Sequence, residues 1–313
     1  MAAVRLAVRE ARARVPAGRP LHMMGYSNGG ALALKFTLDS LTDSRLARPD
    51  RVVLLSPMIG VTAFARFTGL VGLPAFLAVF AAASWLDILP EFNPFKYNSF
   101  PVNAARQSHR LPTAVQGQID ALSADGNFGR MPPVLTFQSV VDATVSTRAV
   151  LTELYARLPA NGSELVLFDL NRNAKIGPLF SQGATSAIAS LQPRGAQRFR
   201  FTLVTNASPD SAEVVERSTP AGSLAAAETE LGLAWPRGVF SLSHIALPFP
   251  PQDGLYGNEP DPADDLGLQL GALAVRGERG VLVTSLDSLT RVSANPFFAY
   301  LAGRIGEVIR PAQ

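Results

Sequence analysis

Ser27 stands in Gly25-Tyr26-Ser27-Asn28-Gly29, a pentapeptide with the spacing G-x-S-x-G. A serine hydroxyl is a poor nucleophile at neutral pH. It needs a base to take its proton, and the base needs a carboxylate to orient it. This spacing suits a nucleophile elbow, a sharp strand-to-helix turn that strains the serine and exposes its hydroxyl at the strand's end. Glycines flank the serine because the chain doubles back too tightly there for a Cβ. The amide of Asn28, one residue past the nucleophile, is the candidate donor to a developing oxyanion.

Only three histidines can supply the base. His22 lies five residues before Ser27 on the same expected strand and reads as a core or near-core residue. His109 sits beside Arg110 and reads as surface or cap packing, with a substrate contact as the lesser option. His244 follows an apolar stretch, precedes a proline-rich loop and comes ahead of the last helix, which makes it the candidate base. For the acid, Asp142 directly follows the apolar run 134–139, in the loop at a strand's carboxyl end. Open parallel sheets place their sites in such crevices. A turn or helix-cap role for Asp142 is compatible with that. Asp169, which also ends a strand, is the rival. With Asp142 the chain order is Ser-Asp-His, unlike the orders of the two main serine protease types.

These residues need a scaffold of strands and helices, and the hydrophobic pattern provides one. Residues 21–24, 51–56, 134–139 and 164–170 read as buried strands, and 30–39 (extending to 41), 147–158 and 296–309 as helices. Pro296 suits a first helical turn. Between 56 and 131 the alternation stops for about 75 residues, which hold an apolar run at 67–86 and an aromatic, proline-rich segment at 89–101. This stretch reads as a cap over the site. A second interruption, 171–238, contains a helix candidate near 178–191, an alternating strand at 198–205 and a polar, loop-like region at 206–221.

The chain has 313 residues, of which 47% are hydrophobic and 17% charged, enough apolar material for a large core. The net charge of +3 is small and its basic residues are scattered, so nucleic acid is not indicated. Arg5, Arg9 and Arg12 would share one helical face, read as solvated. Without cysteine there is no disulfide, thiolate metal site or cysteine nucleophile. Residues 1–14 lack the continuous apolar region of a signal peptide. Arginine-rich and acid-poor, they could pass for a transit peptide, but a helix leading into the nucleophile strand is the preferred reading. The run 67–86 is long enough to consider as a membrane span, but Gly69, Gly72 and Pro74 break it, which favours a buried or interfacial cap helix. The compartment itself stays open, with a cytoplasmic or membrane-peripheral setting favoured.

The phrases "GYSNGGAL", "FQSVVDATVS" and "SHIALPFPP" carry a resemblance over nearly the whole chain. The sequence resembles the α/β-hydrolase superfamily, and within it the cap-bearing serine hydrolases grouped with monoacylglycerol lipases, lysophospholipases and serine aminopeptidases. The resemblance implies a mostly parallel sheet flanked by helices, with core at 1–59, cap at 60–131, and core again at 132–313 with an insertion at about 171–238. It implies an esterase or lipase using Ser27, His244 and Asp142, with Asn28 at the oxyanion. No metal or organic cofactor is needed. The expected partner is a small ester with an apolar acyl group, with lipid or peripheral membrane contact through the cap. A thioester or amide would use the same machinery, and a catalytically incomplete binding module is the alternative. In one respect the chain departs from the family pattern. Only about twenty residues precede Ser27, so the family's N-terminal strands and its His-Gly loop, source of a second oxyanion donor, have no counterpart. An open sheet edge would invite self-association, unless the strand at 198–205 closes it.

Overall fold

Five apolar runs form parallel strands in the computed structural model of this chain, and their register sets the architecture. The structure describes all residues except 17, 61–84, 89–96, 98, 174–179, 265, 267–268, 272–290 and 311–313. The described elements begin with α1 (Ala2–Arg14), β1 (His22–Tyr26), α2 (Asn28–Ser40) and β2 (Arg51–Leu55). The short antiparallel strands β3 (Trp85–Asp87) and β4 (Phe100–Pro101) pair with each other, and α3 (Val102–Ala124) follows. After β5 (Val134–Ser139), α4 (Thr147–Ala149) runs on as a π-helix over Val150–Tyr155. The remainder comprises β6 (Glu164–Phe168), α5 (Gln182–Leu191), β7 (Arg200–Asn206), β8 (Glu213–Thr219), β9 (Ala227–Ala234) and α6 (Phe298–Ile309).

Seven strands share one sheet in the order β1-β2-β5-β6-β7-β8-β9. The first five pair in parallel and the last two add on antiparallel. This is the mostly parallel α/β sheet expected for the chain. Strand side chains alternate between faces with period two. Val52, Leu54, Val134, Leu165 and Leu167 therefore meet Leu34 and Leu38 of α2 and Val115 and Ile119 of α3 on one face. Val53, Leu55, Leu135, Phe137, Val166 and Phe168 meet Trp235, Leu242, Phe297 and Leu301 on the other. Each fully buried Leu or Phe contributes about 1.5–3 kcal/mol relative to an exposed one, so both layers of cover are strongly held.

Several expectations need correction. Residues 206–221 are not a polar loop. They contain β8, which extends the main sheet, and β9 extends it further. Their strands are polar because they form the outer end of the sheet: Arg217 of β8 is exposed, Glu216 pairs with Arg304 of α6, and β9 is mostly exposed. The strand expected at 198–205 is β7, but it pairs with β6, so among the described residues β1 is an edge strand. Within the stretch expected as cap, 61–84 lie outside the described residues, whereas α3 buries Val115, Ile119 and Leu122 in the α2 layer. Most of the apolar run 67–86 is likewise outside the described residues. Among those described, no helix is long and apolar enough to cross a membrane. The α1 arginines are not all solvated: Arg5 pairs with Asp39 of α2 at 2.9 Å, and Gln118 of α3 donates to the same carboxylate at 3.0 Å.

The turn from β1 into α2 is tight. Ser27 adopts φ 53°, ψ −120°, a region non-glycine residues rarely enter. Ser27 N–H donates to Leu55 O at 2.9 Å, and its carbonyl accepts from Met58 N–H at 3.0 Å. A Cβ on Gly25 would lie 2.4 Å from the Gly29 oxygen, and one on Gly30 3.0 Å from Pro57. A Cβ on Gly29 would meet nothing within 4 Å. The close approach is thus at Gly25 and Gly30, not at both glycines of the pentapeptide.

Two predictions follow from the fold. Gly25→Ala forces overpacking worth about 1–3 kcal/mol and displaces the elbow, whereas Gly29→Ala leaves the melting temperature within about 2 °C of the parent. Equal melting temperatures for the two variants would contradict this packing. The second concerns alkali. Burial above all holds the phenols of Tyr26, Tyr155 and Tyr300 above their ordinary value of 10.0. Their folded-state values are raised, so their contribution to stability is full below pH 10.0 and declines as pH rises beyond it. Thermal melts across about pH 8–11 should be level at first and then fall. A level curve throughout would show that these phenols ionise freely in the fold.

Candidate active site

Three loops at the carboxyl edge of the sheet converge on Ser27. Its hydroxyl lies 2.9 Å from His244 Nε2, and His244 Nδ1 lies 2.8 Å from Asp142 Oδ2. An ionised carboxylate only accepts, so Nδ1 carries the proton in this pair. The neutral ring then leaves Nε2 to accept from the serine O–H. The arrangement can draw a proton from Ser27 to His244 and hold the resulting imidazolium against a negative charge. The side chains of His244 and Asp142 are 7% and 0% exposed, so bulk water screens this contact little.

His244 is far from Ser27 in sequence but is guided to it along the strand ends. Asn171, just beyond β6, donates from its side chain to Val239 O at 3.0 Å and from its backbone to Phe240 O at 2.9 Å. Ser139, ending β5, donates its hydroxyl to Leu242 O at 2.9 Å. Tyr26, ending β1, donates to His244 O at 3.2 Å, and its ring centroid lies 5.2 Å from the imidazole. The segment thus crosses the carboxyl edge from β6 to β1 with a hydrogen bond at three strand ends. Trp235 and Leu242 anchor it by burial against the sheet.

Asp142 is held on both oxygens. Oδ1 accepts from the amides of Thr144 at 2.8 Å and Val145 at 3.0 Å, and Oδ2 accepts from Gln138 Nε2 at 3.0 Å as well as from His244. Burial is the largest single influence on this carboxyl and pushes it up. The His244 hydrogen bond and charge, with the two backbone amides, outweigh burial and hold it below its ordinary 3.8. The turn role expected for Asp142 is present alongside its contact with His244. The cap of the following helix belongs instead to Ser146, whose Oγ accepts from Ala149 N–H at 3.1 Å.

The other candidates lie in different bonds. Asp169 binds Arg172 at 2.6 Å and accepts from Thr205 at 2.9 Å, a structural ion pair. His109 sits on α3 within 3.4 Å of the Thr113 hydroxyl. His22 buries both ring nitrogens, which have no partner among the described residues. Asn28 opens α2, and its amide has no partner among the described residues, as expected for a first-turn N–H. Sequence reasoning missed Gln138, Ser139, Thr147 and Tyr26. A polar pair ending a strand buried along its length was the available signal for the first two, since buried polar groups need partners.

Beside Tyr26 and Ile245 opens a cleft of about 520 Å3, walled by Phe249, Leu255, Tyr256 and Leu266, with Asp253 and Asp264 among its lining. The rings of Phe249 and Tyr256 lie 4.3 Å apart. The walls of this cleft are therefore largely apolar, the usual make-up of a small-molecule pocket.

No protein-family model matches the chain, and no curated protein does. Among solved structures, it is similar to a soluble variant of monoglyceride lipase from Saccharomyces cerevisiae, crystallised with a substrate analogue. The identity is 14% and the TM-score 0.35, over 52% of this chain and 56% of the lipase chain. This chain therefore spans little more than half the length of that lipase. At such a TM-score the likeness adds nothing to what the sheet topology itself establishes.

Proposed function

We propose that this protein is a serine hydrolase that cleaves carboxylic esters of apolar acyl groups through an acyl-enzyme. The observation that carries this reading is the unbroken line from the strained Ser27 through His244 to Asp142, at 2.9 and 2.8 Å. A non-glycine residue in such a backbone region costs on the order of 1–3 kcal/mol, and such strain clusters at functional sites. The largely apolar cleft beside Tyr26 and Ile245 supports an apolar substrate portion.

In this mechanism Ser27 Oγ attacks the ester carbonyl carbon as His244 Nε2 takes its proton. The carbonyl π-electrons move onto oxygen, and the amide of Asn28 donates to that oxyanion. Asp142 holds the imidazolium in place. Collapse of the tetrahedral species expels the alcohol, which takes the proton from His244. A water molecule then gives His244 a proton and attacks the acyl-enzyme. Its collapse releases the acid and returns the proton to Ser27. A thioester or an amide could enter the same sequence.

The purified protein should be labelled by a fluorophosphonate probe and should hydrolyse p-nitrophenyl butyrate. Ser27→Ala should abolish labelling and lower kcat/KM by about 10⁴-fold or more. Folded protein that neither labels nor turns over would remove the enzyme reading and favour a non-catalytic binding module. Asp142→Asn should keep the fold near neutral pH and lose about 10⁴-fold in kcat. It should also flatten the acid limb of stability. The Asp142 carboxyl is depressed in the fold, so its contribution is full above 3.8 and is lost as pH falls through the lower folded value. Urea unfolding at about pH 7 and about pH 3 reads this directly. An unchanged pH slope in Asp142→Asn would show that the carboxylate contributes no such linkage.

A further inference from the structure

We propose that Gln138 is a positioning residue for Asp142: its amide donates to the oxygen that receives His244 Nδ1–H and so sets that oxygen's direction toward the imidazole. The proposal rests on reading Ser27, His244 and Asp142 as a catalytic triad. Gln138 is fully buried near the end of β5. Its Nε2 lies 3.0 Å from Asp142 Oδ2 and 3.2 Å from Thr147 Oγ. Thr147 uses its own proton on Ser139 O at 2.8 Å, so toward the amide it can only accept. Two acceptors therefore face Gln138, and only the NH₂ end can satisfy both. The reverse orientation would set an oxygen against a carboxylate.

Two further observations set this amide apart from core packing. First, Gln138 Oε1 is buried and has no hydrogen-bond partner among the described residues. An apolar side chain would avoid that penalty. Second, an ionised carboxylate offers about four acceptor sites. Thr144 and Val145 take two on Oδ1, and His244 and Gln138 take two on Oδ2. Without the amide, His244 would be the one remaining protein donor to Oδ2 among the described residues. The carboxylate plane could then tilt toward whatever else reached it. The network also joins the acid to the base loop, because the Ser139 that accepts from Thr147 donates to Leu242, two residues before His244. Misplacing a catalytic group by about 1 Å costs on the order of 10²-fold in rate.

The test uses the full chain with p-nitrophenyl butyrate. Gln138→Met keeps the length of the side chain and removes the donor. It should lower kcat about 10–100-fold with KM changed less than about threefold, and slow fluorophosphonate labelling by the same factor as kcat. Gln138→Glu supplies a carboxyl that donates when protonated and repels Asp142 when ionised. Its activity relative to the parent should be highest at low pH and fall as pH rises, a limb that a space-filling role would not create. Circular dichroism establishes folding, and if Gln138→Met does not fold, the Gln138→Glu profile decides. An active parent with kcat of Gln138→Met within about twofold, or a Gln138→Glu profile parallel to the parent's, overturns the proposal and leaves the triad reading standing. A parent that Ser27→Ala does not alter sinks the triad reading, and the role of Gln138 falls with it.

Discussion

One backbone conformation, Ser27 at φ 53° and ψ −120°, makes demands on everything around it. The chain can hold this geometry only if its neighbours over-determine it. The Leu55 carbonyl and the Met58 amide do so from one side, by hydrogen bonds to the Ser27 backbone. Gly25 and Gly30 do so from the other, by leaving no Cβ where strand and helix nearly touch. The apolar layer of α2 against Val52 and Leu54 then locks the helix down on the sheet. Without that burial the turn would relax, and the hydroxyl would no longer stand clear of the strand end.

The strained Ser27 hydroxyl is met by the imidazole of His244, and the sheet itself delivers that ring. The strands β6, β5 and β1 end along one edge, and the segment carrying His244 is stitched to groups at or just beyond those ends. Each stitch is an ordinary hydrogen bond worth about 1 kcal/mol net. Together they place an imidazole that lies 217 residues from its partner in sequence. Asp142 is fixed by shorter-range means: it sits in its own turn and accepts from the amides of Thr144 and Val145. Local turn geometry holds Asp142, whereas His244 depends on long-range contacts.

Charge is managed at the carboxyl edge and on the α6 side by different means. At the carboxyl edge, a buried carboxylate is kept ionised by donors arranged around it. On the α6 side, Arg304 pairs with Glu164 at 2.6 Å and Glu216 at 2.9 Å, tying the last helix across β6 and β8. Tyr300 donates to the same Glu216 at 2.7 Å. Breaking either group by removing one partner would strand a buried charge, which is costly.

The sequence by itself determined the parallel core and the residues that meet in the site. Runs such as 51–55, 134–139 and 164–168 are apolar on both faces, a pattern that only doubly covered strands need. Asp142 follows such a run closely and Ser27 stands in the G-x-S-x-G spacing, so their types and places were legible. The strands β8 and β9 were not, because a half-solvated antiparallel hairpin bearing Glu216, Arg217 and Glu228 reads like a loop. Nor could the pattern show which pentapeptide glycine is in contact, or that Gln138 faces a carboxylate. Those facts depend on which groups the packed sheet brings within about 3 Å, and one-dimensional spacing carries no record of such distances. Tertiary structure alone decided that β7 closes on β6 rather than beside the elbow, since edge choice depends on strand pairing across the whole sheet.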